Sequence, residues 1–155
     1  MRDTKDVMNV LEVPGPCELV VLQASREWII PSSLTQVEWV VSEALAELAG
    51  QPNIDAAELA LHEALTNAIS HGNRESISKA VRVTLVRDSN GSVVLVVKDC
   101  GAGFDLNKVP DPLGDRLMSP RGRGIFLMRQ LMAGVDFVYD HGTEVRLWLR
   151  PPATG

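Results

Sequence analysis

The stretch "LHEALTNAISHGN", residues 61–73, decides how the rest of the chain is read. Leu, Ala and Glu favour a helix, yet Glu63, Asn67, Ser70 and His71 recur at spacings of three and four. At about 100° per residue, these four fall within roughly a third of the helix circumference. Leu61, Ala64, Leu65, Ala68 and Ile69 take the opposite side and are expected to face a sheet. A polar stripe has an ordinary explanation, a surface helix meeting water. Asn argues mildly against it, being a mediocre helix former. A carboxylate and an amide one turn apart could instead serve one metal-bound phosphate. Glu63 would accept a proton and Asn67 would give a neutral oxygen to Mg²⁺. The helix alone leaves both explanations open.

Outward from this stretch, the helix is expected to be capped by Asn53 or Asp55 and stopped at Gly72-Asn73. Upstream, "SSLTQVEWVVSEALAEL" (32–48) predicts a helix with a Ser cap, ended by Gly50 and Pro52. "CELVVLQA" (17–24) predicts a strand, and Pro31 closes the segment after it. Downstream, "AVRVTLVRD" (80–88) and "SVVLVVKD" (92–99) read as strands joined by a hairpin at Ser89-Asn90-Gly91. Residues 101–121 are rich in Gly, Pro and Asp, and an irregular run of about twenty residues is usually a functional loop. "GIFLMRQLM" (124–132) predicts a helix opened by glycines. "VDFVYD" and "TEVRLWLR" form a last strand pair around His141-Gly142. This order predicts a layered α+β sandwich. The domain is expected to span residues 11–151, with 1–10 and 152–155 as flexible termini.

With 155 residues, one domain can bury a real core, and 45% hydrophobic with 23% charged residues suits a globular protein. A net charge of −5, no basic run and 5% aromatics argue against a nucleic-acid surface, which needs clustered Lys and Arg. No apolar run approaches the ~20 residues that span a bilayer, and "MRDTKDVMNV" lacks a signal-peptide core. A cytoplasmic protein without a membrane partner is expected. Cys17 and Cys100 have no metal-ligand spacing and are expected to be free thiols.

Two glycine patterns need a reason. "KDCGAGFD" (98–105) puts Asp99 at a strand end, followed by Gly101 and Gly103. Such glycines let backbone approach a flat ligand while the carboxylate accepts from an amino group; taken alone, a plain Gly-rich turn is the better explanation. The dinucleotide fingerprint is excluded, because it requires a helix straight after the glycines. "RGRGIFLM" (121–128) gathers two glycines and two arginines at a helix start. Amide donors, the positive helix end and guanidinium groups there suit a phosphate, although a solvated helix cap has the same composition. Neither pattern ends in the Lys-[Ser/Thr] of a Walker loop.

Taken in order, "EALTNAISHGN", "DCGAGFD" and "RGRGIFLMRQLM", followed by "GTEVRL" (142–147), resemble the gyrase, chaperone, histidine-kinase and mismatch-repair ATPase superfamily, the Bergerat fold. Within it the chain is most similar to the bacterial anti-sigma-factor serine kinases, over roughly residues 15–150. The resemblance implies a two-layer α/β sandwich whose mixed, mostly antiparallel sheet is covered on one face by helices. It implies ATP and Mg²⁺, with Asn67 as a magnesium ligand bridging the phosphates and Glu63 as the base. Asp99 would accept from the adenine amine, with Gly101 and Gly103 shaping that wall. Residues 105–120 would be the ATP lid; Gly122, Arg123 and Gly124 would contact phosphates. Thr143 would support the adenine pocket, directly or through water. His71 and Asn73 are expected on the phosphate side, without a chemical step.

The activity implied is phosphorylation of a serine on an anti-sigma-factor antagonist, together with sequestration of a sigma factor. Such proteins also form homodimers, though no residue here marks a dimer face. The alternative is a non-catalytic, nucleotide-gated partner switch; the presence of Glu63 favours the kinase. A sensor histidine kinase is disfavoured, because there is no room for a helical dimerisation segment carrying a phosphoacceptor. His62 is expected to be an ordinary surface or partly buried histidine, and Trp39 a core or interface residue.

Overall fold

The alternation of β-branched residues in the middle of the chain is what builds the sheet. The computed structural model of the protein describes residues 8–9, 22–87, 92–101, 120–139 and 141–149. Strands β1 (Met8–Asn9), β2 (Leu22–Pro31), β3 (Ala80–Arg87), β4 (Val93–Lys98), β5 (Gly134–Tyr139) and β6 (Thr143–Trp148) form one sheet in the order β1-β2-β3-β4-β6-β5. Every pair in it is antiparallel. Helices α1 (Val37–Glu47), α2 (Ile54–Asn67) and α3 (Pro120–Leu131) complete the α+β sandwich.

Val81, Val83 and Leu85 of β3, with Val93, Leu95 and Val97 of β4, are buried in one core together with Leu61, Ala64, Leu65, Ala68 and Ile69 of the second helical segment. The apolar side of the opening stretch thus faces the sheet. Leu61 and Leu65 are fully buried, and each contributes about 2 kcal/mol of transfer free energy. Off this core, Val86, Val94 and Val96 form a separate small cluster backed by Trp148, whose Nε1 donates to Asp136 at 2.9 Å.

Several elements differ from the expected ones. Strand β2 runs to Pro31, well past residue 24, while residues 17–21 lie outside the described residues. A bulge between Ala24 and Arg26 resets its alternation. Trp28 and Ile30 then point into the core, Ile29 stays exposed, and Arg26 binds Glu43 and Glu47 of α1. Arg26 thus ties the strand to the helix layer.

Neither expected cap works through its side chain. Ser33 precedes a 3₁₀ turn at Leu34–Gln36 without a cap bond, and Asn53 occupies the N-cap of α2 in a left-handed conformation, also without one. The second helical segment stops at Gly72-Asn73 as expected, but its last turn, Ala68–Gly72, is π-helical, with the Asn73 amide bonded to the Ala68 carbonyl at 2.8 Å. π-turns often mark functional segments. Arg74 and Glu75 follow with φ of 52° and 55°, each costing about 1 kcal/mol for a residue with a Cβ.

Strands β3 and β4 pair from Arg82↔Lys98 to Arg87↔Val93, as a hairpin requires; the expected turn at 89–91 lies outside the described residues. Helix α3 starts four residues before the expected Gly124, at Pro120, a residue suited to a first helical turn. Within the expected flexible N-terminus, Met8–Asn9 form β1 against β2; the rest of both expected flexible termini, most of the expected ATP lid and Cys17 fall outside the described residues, whereas Cys100 is a free, exposed thiol. Trp39 is exposed rather than core, and His62 sits on the surface with Nε2 3.1 Å from Glu38 Oε1. Among the described residues, no helix is long and apolar enough to cross a membrane.

Candidate functional site

Because α2 buries its apolar side against the sheet, its polar stripe is left facing α3. Glu63, Thr66, Asn67 and His71 line one wall of an open cleft of about 420 Å³, and Arg123, Gly124 and Leu127 of α3 line the other. The closeness of the two walls depends on a missing side chain. A Cβ placed on Gly124 would lie 2.7 Å from Glu63 Oε2 and 3.5 Å from Asn67 Nδ2. Gly124 is therefore where α3 presses on the two polar groups singled out in α2. It lies in the second turn of α3, so helix geometry leaves the unpaired first-turn amides to Arg121 and Gly122 instead.

Ser70, part of the expected stripe, does not line the cleft, whereas Thr66 does. Thr66 follows the carboxylate by three residues and shares its helix face, so the same periodicity could have found it. Leu127, one turn beyond Arg123, carried no polar signal and went unread. Among the described residues, no group of three or more His, Cys, Asp or Glu side chains could hold a metal ion.

Asp99 and Thr143 do not line that cleft. They form a second cluster, which meets the first where His71 gives way to Gly72. Asp99 is 4% exposed, and its Oδ1 accepts from the amides of Gly101 at 2.9 Å and Thr143 at 3.0 Å. The Asp99 amide donates in turn to the Thr143 carbonyl at 3.0 Å, which joins the end of β4 to the start of β6. No hydrogen bond to Oδ2 is present among the described residues. The Thr143 hydroxyl is also buried and without a partner there. An acceptor and an orphaned hydroxyl side by side can meet an edge that carries one donor and one acceptor.

Three glycines admit backbone to this cluster. A Cβ on Gly72 would fall 2.2 Å from Asp99 Oδ2, one on Gly101 2.0 Å from the Gly72 carbonyl oxygen, and one on Gly142 2.1 Å from the Asp99 carbonyl oxygen. Gly101 therefore has a steric reason of its own, while Gly103 lies outside the described residues. Gly72 was expected only as a helix stop, and Gly142 as part of the closing-strand motif; neither was expected to pack against Asp99. Gly142 also has φ of +125°, which a side chain rarely tolerates. Gly142→Ala is expected to lose about 2 kcal/mol or more of stability, read as a lower denaturant midpoint at unchanged slope.

Asn73 is not on the phosphate side. Its fully buried amide turns away from the cleft, towards Ser32, Ala80 and Cys100.

Known proteins of two kinds are similar to this chain. Serine-protein kinase RsbW of Bacillus cereus strain AH187 is 27% identical over 101 residues, 60% of this chain and 61% of that protein. RsbW of Bacillus anthracis strain CDC 684 / NRRL 3495 is 25% identical over 100 residues, with the same coverage. The matched region thus spans about three fifths of these relatives. Among solved structures, the histidine kinase domain of the Erythrobacter litoralis EL346 blue-light activated histidine kinase superposes with a TM-score of 0.51 at 20% identity. It covers 77% of this chain and 61% of that one, a likeness of fold alone. The family described as histidine kinase-like ATPase domain matches residues 20–149, nearly the whole chain. With the sandwich fold and the motifs in their expected order, that match shows that the protein belongs to the histidine kinase-like ATPase domain family.

Proposed function

We propose that this domain binds Mg-ATP and transfers the terminal phosphoryl group to a serine of a small anti-sigma-factor antagonist, and that it also holds a sigma factor inactive. The observation carrying this reading is the cleft that brings Glu63 and Asn67 of α2 against Arg123 and Gly124 of α3. Phosphoryl transfer asks a protein mainly for positioning and charge neutralisation. Arg123 and the first-turn amides of α3 supply positive potential along one wall, and Glu63 is an acceptor on the other.

In the step proposed, Glu63 takes the proton from the serine hydroxyl as its oxygen bonds to the γ-phosphorus. The bond to the bridging oxygen breaks, and ADP leaves. Asn67 fits Mg²⁺ as one neutral oxygen ligand, and the absence of an acidic cluster among the described residues suits an ion held largely by phosphates and water. When bound, that ion would offset the negative charge of the phosphates.

The second cluster suits adenine. Asp99 Oδ2 would accept from the exocyclic amine, and the orphaned Thr143 hydroxyl would reach the neighbouring ring nitrogen directly or through water. Asp99→Asn keeps the acceptor for the Gly101 and Thr143 amides but sets a donor against the amine. ATP and ADP affinities should both fall about tenfold to a hundredfold, the worth of a charge-assisted hydrogen bond. Calorimetric affinities unchanged for both nucleotides would remove Asp99 from the adenine site.

The test of the whole reading is incubation with labelled ATP, Mg²⁺ and candidate antagonists, followed by phosphoserine analysis. Transfer supports the kinase. Tight nucleotide binding without transfer selects the nucleotide-gated binding module, and no nucleotide binding overturns both. The names of the RsbW relatives support serine as the acceptor.

A further inference from the structure

The Asn73 side chain makes three hydrogen bonds inside the fold. Oδ1 accepts from the Cys100 amide at 2.8 Å, and Nδ2 donates to Ser32 Oγ at 2.8 Å and to the Ala80 carbonyl at 3.1 Å. Ser32 Oγ passes its own proton to the Lys79 carbonyl at 2.6 Å. One fully buried amide thus ties the exit of α2 to the end of β4, the start of β3 and the loop before α1. The residue it grips at β4, Cys100, lies between Asp99 and Gly101, the acid and the glycine of the second cluster.

We propose that Asn73 is a positioning residue for nucleobase recognition: through the Cys100 amide it fixes where Asp99 stands relative to the Glu63–Asn67–His71 wall. The proposal rests on the adenine-site reading above. The wall and the acid belong to different elements, and a nucleotide bridging them needs their separation held constant. The π-turn and the two left-handed residues after it bring Asn73 inward. Without its side chain, the Cys100 amide loses its protein partner and the β4 end is no longer held, which displaces Asp99 but leaves the α2–α3 cleft intact.

Ser32 separates positioning from plain stability. It shares the knot but does not touch Cys100, so Ser32→Ala weakens the fold and leaves the grip on the β4 end in place. The full-length chain and its variants are compared by melting temperature, and by calorimetric affinity for Mg-ATP and Mg-GTP at a temperature where each variant is folded. Asn73→Ala is expected to lose about tenfold in ATP affinity, with GTP affinity within about twofold, so that its preference for adenine collapses. Ser32→Ala is expected to melt earlier and keep that preference. Should Asn73→Ala not fold, Asn73→Ser, whose hydroxyl is too short to reach the Cys100 amide, is read in the same way.

Adenine preference surviving in the Asn73 variant overturns the proposal, as does its equal loss in Ser32→Ala. Wild-type protein that binds neither nucleotide, or both alike, overturns the adenine-site reading instead.

Discussion

Glu63→Ala is expected to leave Mg-ATP affinity within about twofold of wild type and to lower phosphoryl transfer to the serine acceptor by about 10²- to 10⁴-fold, the range of a lost general base. Two features underlie the size of this effect. Glu63 lies in the cleft between α2 and α3, where a hydroxyl could approach it, and Gly124 packs directly on its carboxylate. Its inward neighbours Leu61, Ala64 and Leu65 carry the packing of that turn, so removing an outward carboxylate leaves the core untouched. Single-turnover transfer and calorimetric binding on the same preparation check both halves. Transfer at the wild-type rate would remove Glu63 from the chemistry.

Asn67→Ala should act earlier, on binding. The amide is a neutral oxygen donor in the cleft, and no acidic cluster among the described residues could replace it. Magnesium-dependent ATP binding is expected to fall by about a hundredfold or more, about 2.7 kcal/mol, and turnover with it. Affinity measured in EDTA should change much less. The comparison with and without magnesium is decisive: an equal loss in both conditions would mean that Asn67 serves the nucleotide itself. Because Asn is a poor helix former, Ala at 67 should slightly stabilise α2, which separates lost binding from lost folding.

Much of this architecture was legible because periodicity is local. The stripe of Glu63, Asn67 and His71, the strand alternation of 80–87 and 93–98, and the Gly-Arg helix start each need only a few neighbouring residues to be read. The errors came where distant partners decide. Strand β2 was expected to end at residue 24, yet it runs on to Pro31, with Arg26 bound by Glu43 and Glu47 of α1. Asn73 was set on the phosphate side by extending regular helix geometry through a segment that becomes a π-turn. The contact of Gly72 and Gly142 with Asp99 went unread because Asp99 is far from both along the chain.

The sequence by itself determined the sandwich, the family and which polar residues were candidates, since helix and strand periods and motif order are written along one dimension. Only the tertiary structure decided that Gly124 presses on Glu63, that Thr66 replaces Ser70 in the cleft, and that three glycines and an orphaned hydroxyl gather around Asp99. Those facts depend on how closely separate backbones approach one another. That distance is set by packing between elements, and no local pattern of residues encodes it.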